Sequence, residues 1–251
     1  MIRNMDELRE KVRKKYVEDK RYNASPEDTE QRYSLRNKFG LYFEYRKLKE
    51  SISMFNYAKI NFLGMRILDI GCHKGFQLNN LAFLKGSPKG LYGIDFMPDF
   101  IKAAKSINPS INFKQMDFYD LKFKDNYFDL ITLYYVINCM PKKDRDEIIS
   151  GISKKLKKGG YILVFEFSDN FLINSIRKIT KTIRGVDNNY IEYANDKIIK
   201  KYLKDFRIVK SRNLINFLSY PLSKIFPYPL IELLDLVVPN NYYISLLQKV
   251  K

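Results

Sequence analysis

Hydrophobic and polar positions along this chain change their period near residue 65. Before that point the spacing is helical. Leu8, Val12, Tyr16 and Val17 recur near i, i+4 and i+8 with charges between them, which predicts an amphipathic helix over 5–22. Ser25-Pro26-Glu27-Asp28 breaks the pattern and offers a start signal for another helix. A further helix is predicted over 39–62, with Leu41, Tyr45, Leu48, Ile52 and Phe55 as its apolar face.

After residue 65 short apolar runs alternate with helical stretches. Strands are expected at 66–70, 90–94, 111–115, 128–133 and 161–165, and helices at 77–84, 98–107 and 143–156, with Gly159-Gly160 as a turn before the fifth strand. Beyond a less regular stretch, 206–209 and 242–247 supply two last strands. Strand-helix alternation implies an α/β fold on a mostly parallel sheet, here of seven strands. The division expected is an N-terminal helical extension over 1–64 and a main domain over 65–251, in which about 166–240 shapes the substrate side. No repeat or low-complexity tract interrupts the chain.

Composition narrows the class. The 251 residues are 45% hydrophobic and 15% aromatic, enough for a sizeable core. Two cysteines, Cys72 and Cys139, are too few for a disulfide framework and fit a reducing compartment; with a single histidine they also argue against a metal cluster. There is no apolar leader at residues 1–7 and no apolar run of about 18 residues, so a cytoplasmic protein without a transmembrane segment is expected.

The net charge of +17 lies mainly outside the first strands. Lys and Arg exceed Asp and Glu by five over 1–64, by two over 65–150, by nine over 151–212 and by one over 213–251. A functional reading is attraction to an anionic acceptor, whether a nucleotide-linked sugar, a phosphorylated molecule, RNA or an acidic membrane surface. The structural reading is a solvated face on a Lys-rich chain, which is what a charge run usually is.

Candidate chemistry sits at successive strand ends. Ile67-Leu68-Asp69-Ile70-Gly71-Cys72-His73-Lys74-Gly75 runs from a strand through a glycine-bearing turn into a helix, where backbone can approach a ligand closely. Roughly 20 residues beyond that turn, Asp95 follows the second strand, placed to accept hydrogen bonds from ribose hydroxyls. Asp117 follows the third, beside Phe118, where a carboxylate can receive an adenine amino group. Each feature alone is ordinary, since Asp often caps a helix or starts a turn; in this order and spacing they describe a nucleoside site. The turn lacks the G-x-G-x-x-G that seats a pyrophosphate. Asp69 beside it suits a ligand carrying an ammonium group.

These segments, together with Tyr92-Gly93-Ile94-Asp95, Met116-Asp117, Phe128-Asp129-Leu130-Ile131 and Leu156-Lys157-Lys158-Gly159-Gly160-Tyr161-Ile162-Leu163, resemble the successive motifs of class I S-adenosylmethionine-dependent methyltransferases over about residues 65–165. The resemblance implies a Rossmann-like sheet with a reversed last strand and S-adenosyl-L-methionine as cofactor. The cofactor contacts it implies are Asp69, Gly71, Cys72 and Gly75 in the first loop, Asp95 and Phe96 at the ribose, Asp117 and Phe118 at the adenine, and Tyr134 after the fourth strand. His73 departs from the pattern, standing where the family has its middle glycine; its side chain either narrows the loop or points outward. On the flanks, Arg32-Tyr33-Ser34 with Asn37, and the stretch 221–243, are similar to methyltransferases of bacterial surface polysaccharide assembly.

Methyl transfer from a sulfonium is an in-line displacement that positioning alone can accelerate, and a base is needed only if the acceptor must lose a proton. Glu166, just past the fifth strand and expected at the mouth of the site, is the candidate base, with Asp169 behind it; His73, inside the cofactor turn, is a poor one. Tyr33, Asn138 and Asp169 are the candidate substrate contacts. Tyr134 and Tyr135 face either the site or the core. The apolar stretch 214–238, broken by Pro221, Pro227 and Pro229, forms a pocket wall, a surface for a lipid-linked substrate, or sheet-edge packing, the last favoured by Lys224, Glu232 and Asp235 within it. Three functions remain: methylation of a small-molecule acceptor, an oxygen or nitrogen of a sugar or glycan precursor; methylation of RNA along the basic flanks; and noncatalytic cofactor binding.

Overall fold

A computed structural model describes residues 38–168, 194–216, 219–222, 225–234 and 240–250. The expected helix over 5–22, Tyr33 and Asp169 lie outside the described residues. Elements follow in the order α1 (Lys38–Tyr57), β1 (Ile67–Ile70), α2 (Phe76–Lys85), β2 (Leu91–Asp95), α3 (Pro98–Ile107), β3 (Asn112–Gln115), β4 (Phe128–Tyr134), α4 (Arg145–Lys155), β5 (Leu156–Phe167), α5 (Asp196–Tyr202), β6 (Phe206–Asn216), α6 (Tyr228–Leu234) and β7 (Asn240–Lys249).

The seven strands form one sheet in the order β3-β2-β1-β4-β5-β7-β6. β1 to β5 pair in parallel, and β7 runs antiparallel to both β5 and β6. Every residue of β1 is buried, as a central parallel strand covered on both faces requires. Helices cover both faces. Leu78 and Leu81 of α2, Ile101 and Ala104 of α3 and Phe43 and Phe55 of α1 pack on one side. Ile148, Ile149 and Ile152 of α4 and Ile199 and Tyr202 of α5 pack on the other.

Local chemistry explains several boundaries. Pro98 and Asp99 open α3, where a missing N–H costs nothing and a carboxylate meets the helix dipole. α4 has Asp146 and Glu147 in its first turn and Lys154 and Lys155 in its last. The Asn195 side chain caps α5 by accepting from the Ile198 N–H at 2.9 Å.

Three expectations change. Gly159-Gly160 does not separate helix from strand: β5 already begins at Leu156, paired with Phe128, and the register shifts before Tyr161 pairs with Leu130. β6 extends to Asn216 rather than 209: Lys210, Ser211, Arg212 and Asn213 all pair with β7, while Lys210 and Arg212 find side-chain partners in Ser53 and Glu50 of α1. The face that α1 buries includes Phe39, Tyr42, Phe43, Arg46, Glu50, Met54 and Phe55, of which Phe55 alone belongs to the predicted stripe; Leu41 and Tyr45 remain 44% and 38% exposed.

That inward face holds charge, which periodicity does not anticipate. Glu50, 1% exposed, accepts from Arg46 Nη1 at 3.3 Å and from Arg212 Nη1 of β6 at 3.0 Å. Arg46 also meets Glu232 of α6 at 3.0 Å. Ion pairing thus ties α1 to the far edge of the sheet and to α6, since a buried charge must be matched by a partner.

Candidate active site

The carboxyl ends of β1 and β2 carry two buried acids. Asp69 is 2% exposed, and its Oδ1 accepts from Thr132 Oγ1 of β4 at 2.6 Å. The sheet register makes Asp69 and Thr132 direct partners. Burial pushes the Asp69 carboxyl up to about 7, against the lowering effects of the Thr132 bond and the charge of Lys47. Such a group is poised to ionise when a cation arrives beside it.

Asp95 is 7% exposed and fixes the turn between β1 and α2. Its Oδ2 accepts from the His73 backbone N–H at 3.0 Å and its Oδ1 from the Met97 N–H at 2.9 Å. Burial raises its pKa and these backbone bonds oppose the rise. Each oxygen keeps a second lone pair, so the carboxylate can still accept from ribose hydroxyls.

The glycine turn has little freedom to change. Gly71 sits at φ +72°, and a Cβ there would lie 2.9 Å from Val136 Cγ2. Gly75 sits at φ +82°, where a Cβ would come within 2.6 Å of Phe113 Cζ. His73 has φ 50°, which accounts for a glycine being the ordinary choice at that position. The residue is exposed overall, but its ring rests on Phe100, with centroids 3.9 Å apart, and burial of the imidazole lowers its pKa to about 4. Cys72 lies buried inside the turn; burial and the neighbouring carboxylates push its thiol far up, leaving it protonated and unreactive. The side chain of Cys139 is outside the described residues.

Asp117 follows β3 by two residues and is half-buried, its Oδ1 accepting from the Tyr119 N–H at 3.0 Å. The Met116 N–H donates to the Asp95 carbonyl, bringing the two loops side by side. Phe118 and Phe96 are half-buried there. A carboxylate row along β1, β2 and the loop after β3, beside a glycine turn too tight for side chains, matches the ends of a nucleoside-bearing cofactor.

Comparison with known proteins agrees with that geometry: the family model described as a methyltransferase domain matches residues 62–210. The chain belongs to this methyltransferase family. Membership and fold together imply S-adenosylmethionine as its cofactor. The chain is 26% identical over 128 residues to a phosphatidylethanolamine N-methyltransferase of Cereibacter sphaeroides, covering 49% of this chain and 60% of the relative. It is 31% identical over 111 residues to a ubiquinone/menaquinone biosynthesis C-methyltransferase of Pseudomonas paraeruginosa, covering 42% and 43%. It therefore spans less than two thirds of those relatives. A solved SAM-dependent methyltransferase of Methanosarcina mazei shares its fold at TM-score 0.54 and 22% identity, over 74% of this chain and 92% of that one.

Near Asp69, an aromatic cluster is packed beneath Phe43 of α1. Phe165 packs against Tyr134, Tyr135 and Tyr242 with centroids 5.8, 5.3 and 5.6 Å away, and Phe167 lies 5.1 Å from Tyr135. The Tyr134 hydroxyl is 3.5 Å from Ser51 Oγ of α1. Lys47 of α1 holds its ammonium 5.3 Å above the Tyr134 ring and pairs with Glu44 at 2.7 Å. Lys47 and Thr132 were not anticipated. Thr132 could have been, as the one hydroxyl between the hydrophobic neighbours Ile131 and Leu133 of β4, whereas Lys47 is one of many helical lysines.

Glu166 is not at an open mouth. It is 1% exposed, within β5, with Oε1 accepting from the Ile137 N–H at 2.8 Å and Oε2 from the Asn138 side-chain amide. Burial pushes it up to about 8, against the backbone N–H groups and the Arg145 charge. Placement inside the strand end, rather than past it, is what turned this side chain inward. It fastens the turn after β4 whose Val136 touches Gly71. Asn138 is accordingly also buried.

Proposed function

We propose that this chain transfers a methyl group from S-adenosylmethionine to a nitrogen or oxygen of an amphipathic small molecule. The observation that carries the reading is the buried carboxylate of Asp69, close enough to Tyr134 to raise that phenol's pKa, beside the aromatic cluster of Tyr134, Tyr135, Phe165 and Tyr242. S-adenosylmethionine supplies a methyl carbon on a sulfonium, open to in-line attack. The protein's part is to hold and to dry.

Asp69 takes the ammonium of the methionine end, and Lys47, near enough to lower the Asp69 pKa, takes its carboxylate. Asp95 accepts the ribose hydroxyls, with Phe96 beside it. Asp117 and Phe118 border the adenine, while Gly71, Cys72 and Gly75 let the backbone approach. On the acceptor side the aromatic rings exclude water and line up the nucleophile, a contribution from orientation that can be large without proton transfer. Glu166 acts as a positioning residue: with both oxygens engaged, it sets Asn138 and the turn above Gly71 rather than taking a proton from the acceptor. Tyr33 and Asp169 remain proposed acceptor contacts from sequence alone.

A lipid-like acceptor is supported by this aromatic wall and by relatives named for phosphatidylethanolamine and for ubiquinone and menaquinone biosynthesis. A second reading, a saccharide or glycan precursor, is supported by the flanking residues 32–37 and 221–243. Incubating the protein and methyl-labelled cofactor with a cell extract, then separating organic-soluble, aqueous low-mass, nucleic-acid and protein fractions, tests both. Label in the organic fraction is expected. Label in the aqueous low-mass fraction favours the saccharide, and label in RNA overturns a small acceptor. Cofactor binding with no label in any fraction leaves a noncatalytic binder.

A further inference from the structure

The outer face of α1 inverts the usual arrangement. Charges Arg46 and Glu50 point inward, while Leu41 and Tyr45 are 44% and 38% exposed, and Leu48 and Ile52 continue the same stripe half-buried. Beside it runs a second apolar surface. Ile225, Phe226, Leu230 and Leu233 are 75%, 43%, 49% and 60% exposed.

The two surfaces are held together. Tyr45 stacks on Tyr228 with centroids 5.8 Å apart, the Tyr228 hydroxyl donates to the Lys38 carbonyl at 3.0 Å, and Lys49 pairs with Glu232 at 2.5 Å. Contiguous exposed apolar side chains on this scale mark a contact surface rather than ordinary scatter. Charge then selects the partner. The acids of α1 and α6 are Glu44, Glu50 and Glu232, each ion-paired and none of them exposed, whereas Lys38 and Lys49 of α1 and the adjacent Arg212 are exposed. A second copy of a chain carrying +17 would bring like charge to the same face.

We infer that α1 and residues 225–234 form a surface that seats on an anionic phospholipid bilayer, with Leu41, Tyr45, Ile225, Phe226, Leu230 and Leu233 entering the acyl boundary and Lys38, Lys49 and Arg212 meeting headgroup phosphates. Apolar burial joined to basic charge is how monotopic proteins bind at the interface. This goes beyond the proposed reaction and holds for a lipid or a saccharide acceptor alike. It is read without methyl transfer, so the two fail separately.

The test is co-sedimentation of the full chain with phosphatidylcholine vesicles and with vesicles containing phosphatidylglycerol. Binding is expected only with the anionic lipid and is expected to weaken with added salt. L230D and L233D, singly and together, are expected to lower vesicle affinity about tenfold or more, as loss of a buried leucine implies. Phe83→Asp, at an exposed site on α2 outside this surface, is expected to change nothing. S-adenosylmethionine affinity of each variant reports that its fold is intact. Equal binding to both vesicle types, unchanged binding of the leucine variants, or a concentration-dependent dimer that those variants dissociate without any vesicle binding would each overturn the inference.

Discussion

The ends of β1 and β2 and the far side of the sheet are built on different principles. At β1 and β2 single residues meet backbone: Asp95 binds two N–H groups of its own neighbourhood, and Gly71 and Gly75 are forced by positive φ. At β6, α1 and α6 the contacts are long-range ion pairs, with Glu50 reaching Arg212 across 162 residues. The first region is prepared for a ligand; the second holds a helix over the sheet. Mutations in the two should therefore separate stability from cofactor affinity.

The largest effect is expected from Glu50→Ala, which takes a buried carboxylate from both Arg46 and Arg212 and leaves Arg46 with Glu232 as its acid partner. Removing one partner of a buried pair costs about 3–5 kcal/mol, seen as a lowered denaturant midpoint, while the folded fraction still binds S-adenosylmethionine. A loss of cofactor affinity at unchanged stability would erase the distinction between the regions. Asp95→Ala should do the reverse, weakening cofactor binding by about 1–3 kcal/mol in calorimetry. Unchanged affinity would misplace the ribose.

A pH series sharpens the ligand side. Asp69 ionises in the free protein only near 7, so a ligand ammonium that requires its carboxylate binds more tightly as pH rises towards that value. Below it, affinity should fall by up to about tenfold per pH unit, and Asp69→Asn should flatten the curve. The sign for stability is opposite. With its folded pKa above the unfolded one, Asp69 lowers the stability of the unliganded protein as pH rises from about 4 towards about 7, and Asp69→Asn should remove that slope in thermal melts. Lys47→Met should have the smallest effect, a loss of about 0.2–1 kcal/mol in cofactor affinity, as for a partly screened charge pair. No change, measured by the same calorimetry, would free the methionine carboxylate from α1.

Sequence spacing was sufficient where one residue answers to its neighbours along the chain. The β1 turn, the acids after β2 and β3, and α3 over 98–107 were legible because strand ends, glycine and Pro98 act locally. The edge strand β6 was cut short because Lys210 to Asn213 look like a loop until their partner β7 is known. α1 misled more deeply. Leu41, Tyr45, Leu48 and Ile52 repeat as an apolar stripe, but the burial of Arg46 and Glu50 depends on Arg212 and Glu232, which helical periodicity cannot see. Glu166 was found by its position and assigned by it to an open mouth; the N–H groups of the turn after β4 set its actual place. No helix among the described residues is long and apolar enough to cross a membrane.

Hydrogen exchange with and without S-adenosylmethionine tests the central claim most directly, because it locates the ligand on the unmodified chain. Protection is predicted in peptides covering 69–77 and 93–98, where Asp69, the glycine turn and Asp95 lie, with no change over 225–234. Saturating cofactor that leaves 69–77 and 93–98 unprotected, or protects only 225–234, would contradict the proposed site.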